Sequence, residues 1–171
     1  GKSYPYVTRD ELLDQISIMR TRFPDYKSYA DAGINEIFTK EELTDAKKLT
    51  INTLKTTLFI RDSQGKFQEK SLPLQTQFSP VFAMSAIDID ADGKKDLVLA
   101  GNINRGRLRF GKYDANLGLI LKGDGNGQFS ALTQQQSGLC LKGDVRSILS
   151  INNLVLFGVN QQALKSYAFK K

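Results

Sequence analysis

The sequence predicts a mainly β chain with an N-terminal helical segment, its strands forming a partial β-propeller of about two and a half four-stranded antiparallel blades. Three observations predict it. Residues 1–50 carry helical periodicity and helix-start signals, whereas residues 51–171 are short β-branched and apolar runs broken by Gly, Asn and Asp. The second stretch repeats itself at a spacing of about 60 residues. A period of that size, with room for four short strands, marks propeller blades rather than a closed sandwich.

In the helical segment, Thr8 and Glu11 stand at capping-box spacing at the head of TRDELLDQISIMRTRF. Their hydroxyl and carboxylate can satisfy the free amides of a first turn. Leu12, Leu13, Ile16, Met19 and Phe23 recur on one face, which predicts a single helix running to Phe23. Pro24 stops it there, because the residue before a proline is pushed out of the helical region. A short helix is expected in YKSYADAGINEIF, ending near Gly33, with Tyr26 and Tyr29 packed in a core or interface. Thr39 and Glu42 form a second box, opening a helix whose apolar stripe is Leu43, Ala46 and Leu49.

The repeat is visible in three pairs of segments. TTLFIRDSQGKFQE (56–69) aligns with GLILKGDGNGQFSA (118–131): an apolar strand, a polar glycine turn, Gly-Lys-Phe or Gly-Gln-Phe, and an exit strand. Asp62 and Asp124 are expected to form those turns. DLVLAGN (96–102) aligns with NLVLFGVN (153–160), and VFAMSAIDI and VRSILSIN precede them. Before the second of these strands, SINNLVL replaces the acidic loop, so Asn152-Asn153 are expected to make a plain turn.

That acidic loop is the strongest chemical signal. AIDIDADGKKDLVLAGN places Asp88, Asp90, Asp92 and Asp96 within nine residues, where each repels the others unless a cation intervenes. Counted from Asp88, the carboxylates fall at positions 1, 3, 5 and 9, Gly93 permits the sharp turn, and Lys94 offers its backbone carbonyl. An oxygen-only set of this kind suits Ca²⁺, which takes six to eight ligands at about 2.3–2.6 Å. Leu99 stands where an EF-hand needs a glutamate, and a strand follows instead of a helix, so an EF-hand is rejected. The alternatives are a solvent-splayed turn without an ion, and Mg²⁺, which retains its waters and rarely accepts a full protein cage. Four side chains and a carbonyl from one bend nearly fill a coordination shell. The expected calcium is therefore structural rather than catalytic.

These residues resemble the FG-GAP/VCBS type of β-propeller repeat. Asp88, Asp90, Asp92, Gly93, Asp96 and Leu97 match its aspartate loop, and Gly123, Asp124, Gly125, Gly127 and Phe129 match its closing hairpin. The likeness covers roughly residues 56–171 and extends to the C-terminal parts of large secreted bacterial repeat proteins, in which the helical stretch resembles an insertion. It implies a secreted or cell-surface, bacterial location. It also implies a fragment of a longer chain, with its sheet edges paired to the remaining blades or to another copy.

Composition narrows the function. Histidine is absent, which removes Ser-His-Asp and Cys-His catalysis and His-ligated zinc from anything this chain does alone. Apolar residues make up 40% and no apolar run is long enough to span a bilayer, so a folded chain without a transmembrane segment is expected. Gly1-Lys2-Ser3 reads as a cut end without a signal-peptide pattern. Cys140, between two leucines, is expected to be a buried thiol.

The first functional expectation is a non-enzymatic binding or scaffold module for a protein or glycan at the cell surface, its loops held on a calcium-braced frame. The second is a carbohydrate-active enzyme component, for which Asp114 and Asp144 are the candidate carboxylates. The third is polyanion binding through NRGRLRFGK, with Arg105, Arg107, Arg109 and Lys112 as the cations and Tyr113 beside them as contact area. The net charge of +6 is otherwise spread along the chain, and no nucleic-acid signature accompanies the loop, so nucleic acid is not an expected partner. Under any reading, the loop 103–118 is the expected partner site.

Overall fold

The computed structural model describes residues 2–169. The chain divides into two compact units, Gly1–Asn52 and Thr53–Lys171. The first unit holds short helices, α1 (Arg9–Gln15), α2 (Met19–Arg22), α3 (Tyr26–Ala30), α4 (Ile34–Ile37) and α5 (Lys40–Thr44). Thr8 and Thr39 start α1 and α5 with reciprocal capping boxes to Glu11 and Glu42. Arg22 grips Glu42 with two hydrogen bonds of 2.8 Å and holds its carboxyl at about 2.

The expected single helix to Phe23 is two pieces. Ile16 leaves helical geometry at φ −132°, ψ 92°, and Phe23 caps α2. Ile16, Ser17 and Ile18 are all weak helix formers, so a break there costs little. It also brings Met19 and Phe23 into one core with Leu12, Leu13 and Ile37. The expected short helix is α3, which ends at Ala30 with Asp31 as its cap; Gly33 itself opens α4, its amide donating to the Glu36 carboxylate. Tyr29 joins this core, edge-on to Phe23 at 5.4 Å, with its hydroxyl on the Val7 carbonyl. Tyr26 lies outside it, exposed and donating to Asp10. Because α5 stops at Thr44, the predicted stripe fails beyond Leu43, and Leu49 is 78% exposed.

The second unit is three antiparallel sheets with strands in chain order. The first pairs β1 (Leu58–Arg61) with β2 (Phe67–Lys70). The second holds β3 (Val81–Ile87), β4 (Asp96–Gly101), β5 (Leu119–Gly123) and β6 (Phe129–Ala131). The third, after a short helix α6 (Gln134–Ser137), holds β7 (Val145–Ile151), β8 (Leu154–Val159) and β9 (Lys165–Ala168). Among the described residues, the sheets thus have two, four and three strands.

β4 is buried on both faces, which the apolar run LVLAG after Asp96 permits. On one side Val98 and Ala100, with Ala83 and Ile120, join Val145, Val155 and Phe157 of the third sheet. On the other, Leu97, Leu99, Leu119 and Leu121 pack with Leu72 and Phe129. Leu139 and Leu141 fill the first cluster from the segment between α6 and β7. Between them Cys140 is exposed, contrary to the expected buried thiol. In an extended segment successive side chains alternate, so two buried leucines send the residue between them outward.

The hairpin turns follow the sequence closely. The Asp62 carboxylate accepts from the amides of Gln64 and Lys66, and that of Asp124 accepts from Asn126 and Gln128, all within 2.9 Å. Those amides hold the Asp124 carboxyl below the usual carboxylate range. The β7–β8 connection is only Asn152-Asn153, with Asn152 at φ +55°, a conformation that asparagine tolerates well.

Candidate functional site

The acidic loop connects β3 to β4 and covers residues 88–95. It turns sharply because Ala91 and Gly93 both take positive φ, 60° and 83°. The aspartates are satisfied largely by backbone. The two oxygens of Asp88 accept from the amides of Asp92 (3.1 Å) and Gly93 (2.9 Å). Asp92 accepts from Lys94 N at 2.9 Å. Asp96, 2% exposed, accepts from Ile89 N at 3.0 Å with one oxygen and from Gly123 N at 2.9 Å with the other. Asp96 therefore ties its own loop to the end of β5.

Asp88, Asp90 and Asp96 each bring one carboxylate oxygen within 4.8 Å of the others, a spacing that could hold a cation. Asp92, an expected fourth ligand, is outside this group. Its carboxylate faces two ammonium groups, Lys94 Nζ at 3.6 Å and Lys122 Nζ at 3.9 Å. Lys94 thus contributes a charge on its side chain in addition to the backbone carbonyl expected of it. Lys122, from β5, reaches across to Asp90 and pairs with it directly. This contact holds the Asp90 carboxyl below its ordinary range and raises the Lys122 amine above its own.

Sequence reasoning missed Lys122. The signal was present as a lone cation in the apolar strand run GLILKGD, where the aligned hairpin has Ile60. Its partner lies 32 positions away, and only strand pairing brings the two together.

At the opposite end of β4 lies a buried polar hub that the sequence did not announce. Asn102, 1% exposed at φ +87°, accepts from Ser79 Oγ (2.7 Å) and Asn116 N (3.0 Å). Its amide group donates to the carbonyls of Asn116 (2.7 Å) and Gly143 (3.2 Å). One side chain thereby joins three segments of chain.

The basic loop rises directly from this hub. Ile103 and Tyr113 close its base by exchanging backbone hydrogen bonds of 2.8 and 2.9 Å. Arg105, Arg107, Arg109 and Lys112 are all exposed along it, Tyr113 is 45% exposed, and the Arg109 guanidinium lies over the Phe110 ring at 4.8 Å. Arg105 lines a small cleft of about 150 Å³ with Asn104, Asp144 and Asn160, among others.

The two carboxylates considered for catalysis have different surroundings. Asp114 is exposed. Asp144 is buried and accepts from Asn104 N at 2.9 Å, from the Asn104 side chain, and from Arg146 Nη2 at 3.5 Å. Its carboxylate anchors the first residues of the basic loop. Comparison of the chain with protein-family models, with curated proteins and with solved structures finds no match.

Proposed function

We propose that this chain is a non-enzymatic binding or scaffold module, part of a secreted calcium-braced β-propeller of the FG-GAP/VCBS type. Its loop 103–113 is offered to a protein or glycan partner at a cell surface. The observation that carries this reading is that one strand-pairing scheme occurs twice. Val81↔Gly101 and Val145↔Val159 begin the β3–β4 and β7–β8 pairings, and both then shift register before Ala83↔Ala100 and Ser147↔Gly158. The Asp62 and Asp124 turns extend the correspondence to the hairpins. A frame built this way holds loops in fixed positions, and 103–113 is anchored at both ends and rich in exposed side chains.

In this reading Ca²⁺ binds Asp88, Asp90 and Asp96, and the Lys122 ammonium stands in its place when calcium is low. Calcium and ammonium then compete for Asp90. The test is a thermal melt of the whole chain in calcium and in EGTA. A ligand at 100 times its Kd stabilises the folded form by about 2.7 kcal/mol, so calcium is expected to raise Tm by several degrees. Asp88→Ala is expected to abolish that rise. Lys122→Met is expected to lower Tm in EGTA and to enlarge the rise in calcium. Equal rises in all three proteins would refute calcium at this loop.

A further inference from the structure

The contact between the second and third sheets has a direction. One face of sheet β3–β6 carries Val98 and Ile120, buried in one cluster with Val155 and Phe157 of sheet β7–β9. Counted from the shared register shift, Ser85↔Val98 corresponds to Leu149↔Leu156, and Ile87↔Asp96 to Ile151↔Leu154. Residues opposite each other share a face, and alternate residues return to it. Leu149, Ile151, Leu154 and Leu156 therefore form, on the third sheet, the face that a following sheet covers on the second. Here it lies open: Leu149, Ile151 and Leu154 are 57%, 46% and 41% exposed.

The first sheet is open in the opposite sense. Counted from the Asp62 and Asp124 turns, Phe59↔Glu69 corresponds to Leu121↔Ala131, and Arg61↔Phe67 to Gly123↔Phe129. Leu121 and Phe129 belong to the other face of the second sheet, with Leu97 and Leu99. By register that is the face with which the third sheet, through Val155 and Phe157, covers its neighbour. Phe59 and Phe67 are 56% and 69% exposed. Among the described residues, the second unit therefore carries an uncovered face of each kind, the two halves of a contact it already makes internally.

We propose that these faces meet between copies of this chain, head to tail, with Phe59 and Phe67 of one copy seated on the Leu149–Leu154 face of the next. The inference rests on reading the sheets as repeats of one blade. Such a contact is heterologous, since it joins two different patches, and it can propagate from copy to copy. Contiguous exposed apolar surface on a sheet is also what marks an interaction site.

The test is sedimentation of the full chain over a range of concentrations, with two double variants: Leu149→Lys with Leu154→Lys, and Phe59→Lys with Phe67→Lys. The unmodified chain is expected to associate as concentration rises, and each variant alone to stay monomeric. An equimolar mixture of the two variants is expected to form a one-to-one dimer and nothing larger, because only one intact pair of faces remains. Serine in place of lysine at the same positions gives the same comparison should a lysine variant fail to fold. The proposal is overturned if the unmodified chain stays monomeric at its highest attainable concentration. It is equally overturned if either variant alone still associates, or if mixing restores nothing. A monomer that keeps its calcium-dependent rise in Tm would sink this contact while leaving the acidic-loop reading intact.

Discussion

Asp96→Ala is expected to lower the unfolding free energy of the second unit by about 2–5 kcal/mol. The residue is 2% exposed, and its two oxygens accept from Ile89 N and Gly123 N. Truncation leaves the buried Gly123 amide without an acceptor, at roughly 1–3 kcal/mol, and the part-buried Ile89 amide at about 1–2 kcal/mol. Asp92→Ala is the comparison, since that residue is exposed and its change is expected to cost about 1 kcal/mol or less. Urea unfolding of both variants in EGTA measures the difference without any contribution from calcium. Equal midpoints for the two would show that Asp96 is not the anchor of the loop. A loss seen only in calcium would leave Asp96 a metal ligand alone, with no anchoring role of its own.

Asn102→Ala is expected to cost about 3–5 kcal/mol. It strips partners from Ser79 Oγ, Asn116 N and the carbonyls of Asn116 and Gly143 at a site that is 1% exposed. It also places a Cβ-bearing residue without a polar side chain at φ +87°, where the left-handed region adds about 1 kcal/mol. Asn102→Gly separates the two contributions, because glycine removes the conformational cost and keeps the hydrogen-bond loss. The glycine variant is therefore expected to unfold at a midpoint between those of the native chain and the alanine variant. Amide exchange at Ile103 and Tyr113 should speed up in both, since the hub lies beside the bridge that closes the basic loop. Unchanged exchange there would show that the loop is anchored by Asp144 alone.

The parts of this fold that read correctly from sequence are those whose chemistry is complete within a few residues. Thr8 with Glu11 and Thr39 with Glu42 close capping boxes over three positions. Asp62 and Asp124 satisfy amides two and four positions ahead. The β-rich character after residue 51 is equally local, because alternation and β-branching act strand by strand. Asn152-Asn153 reads as a turn for the same reason.

The departures have longer reach. The break after Gln15 was hidden because Ile16 and Met19 keep helical spacing even where the backbone does not, and packing with Ile37 rewards the broken form. The leucine neighbours of Cys140 predict a buried thiol, yet those leucines consume the inward positions. In the acidic loop, the sequence shows four equivalent aspartates. The fold makes them unequal: Asp96 is buried against β5, Asp90 is paired with Lys122, and Asp92 is turned toward lysines.

By itself, then, the sequence determined the two textures of the chain, the starts of helices, the turns, and a bend crowded with carboxylates. Each follows from interactions between near neighbours, whose strength does not depend on the rest of the molecule. Only the tertiary structure decided which carboxylate is buried, which cation answers it, and which sheet faces lie uncovered. Those outcomes depend on groups tens of residues apart, and strand register, not sequence distance, brings them within reach.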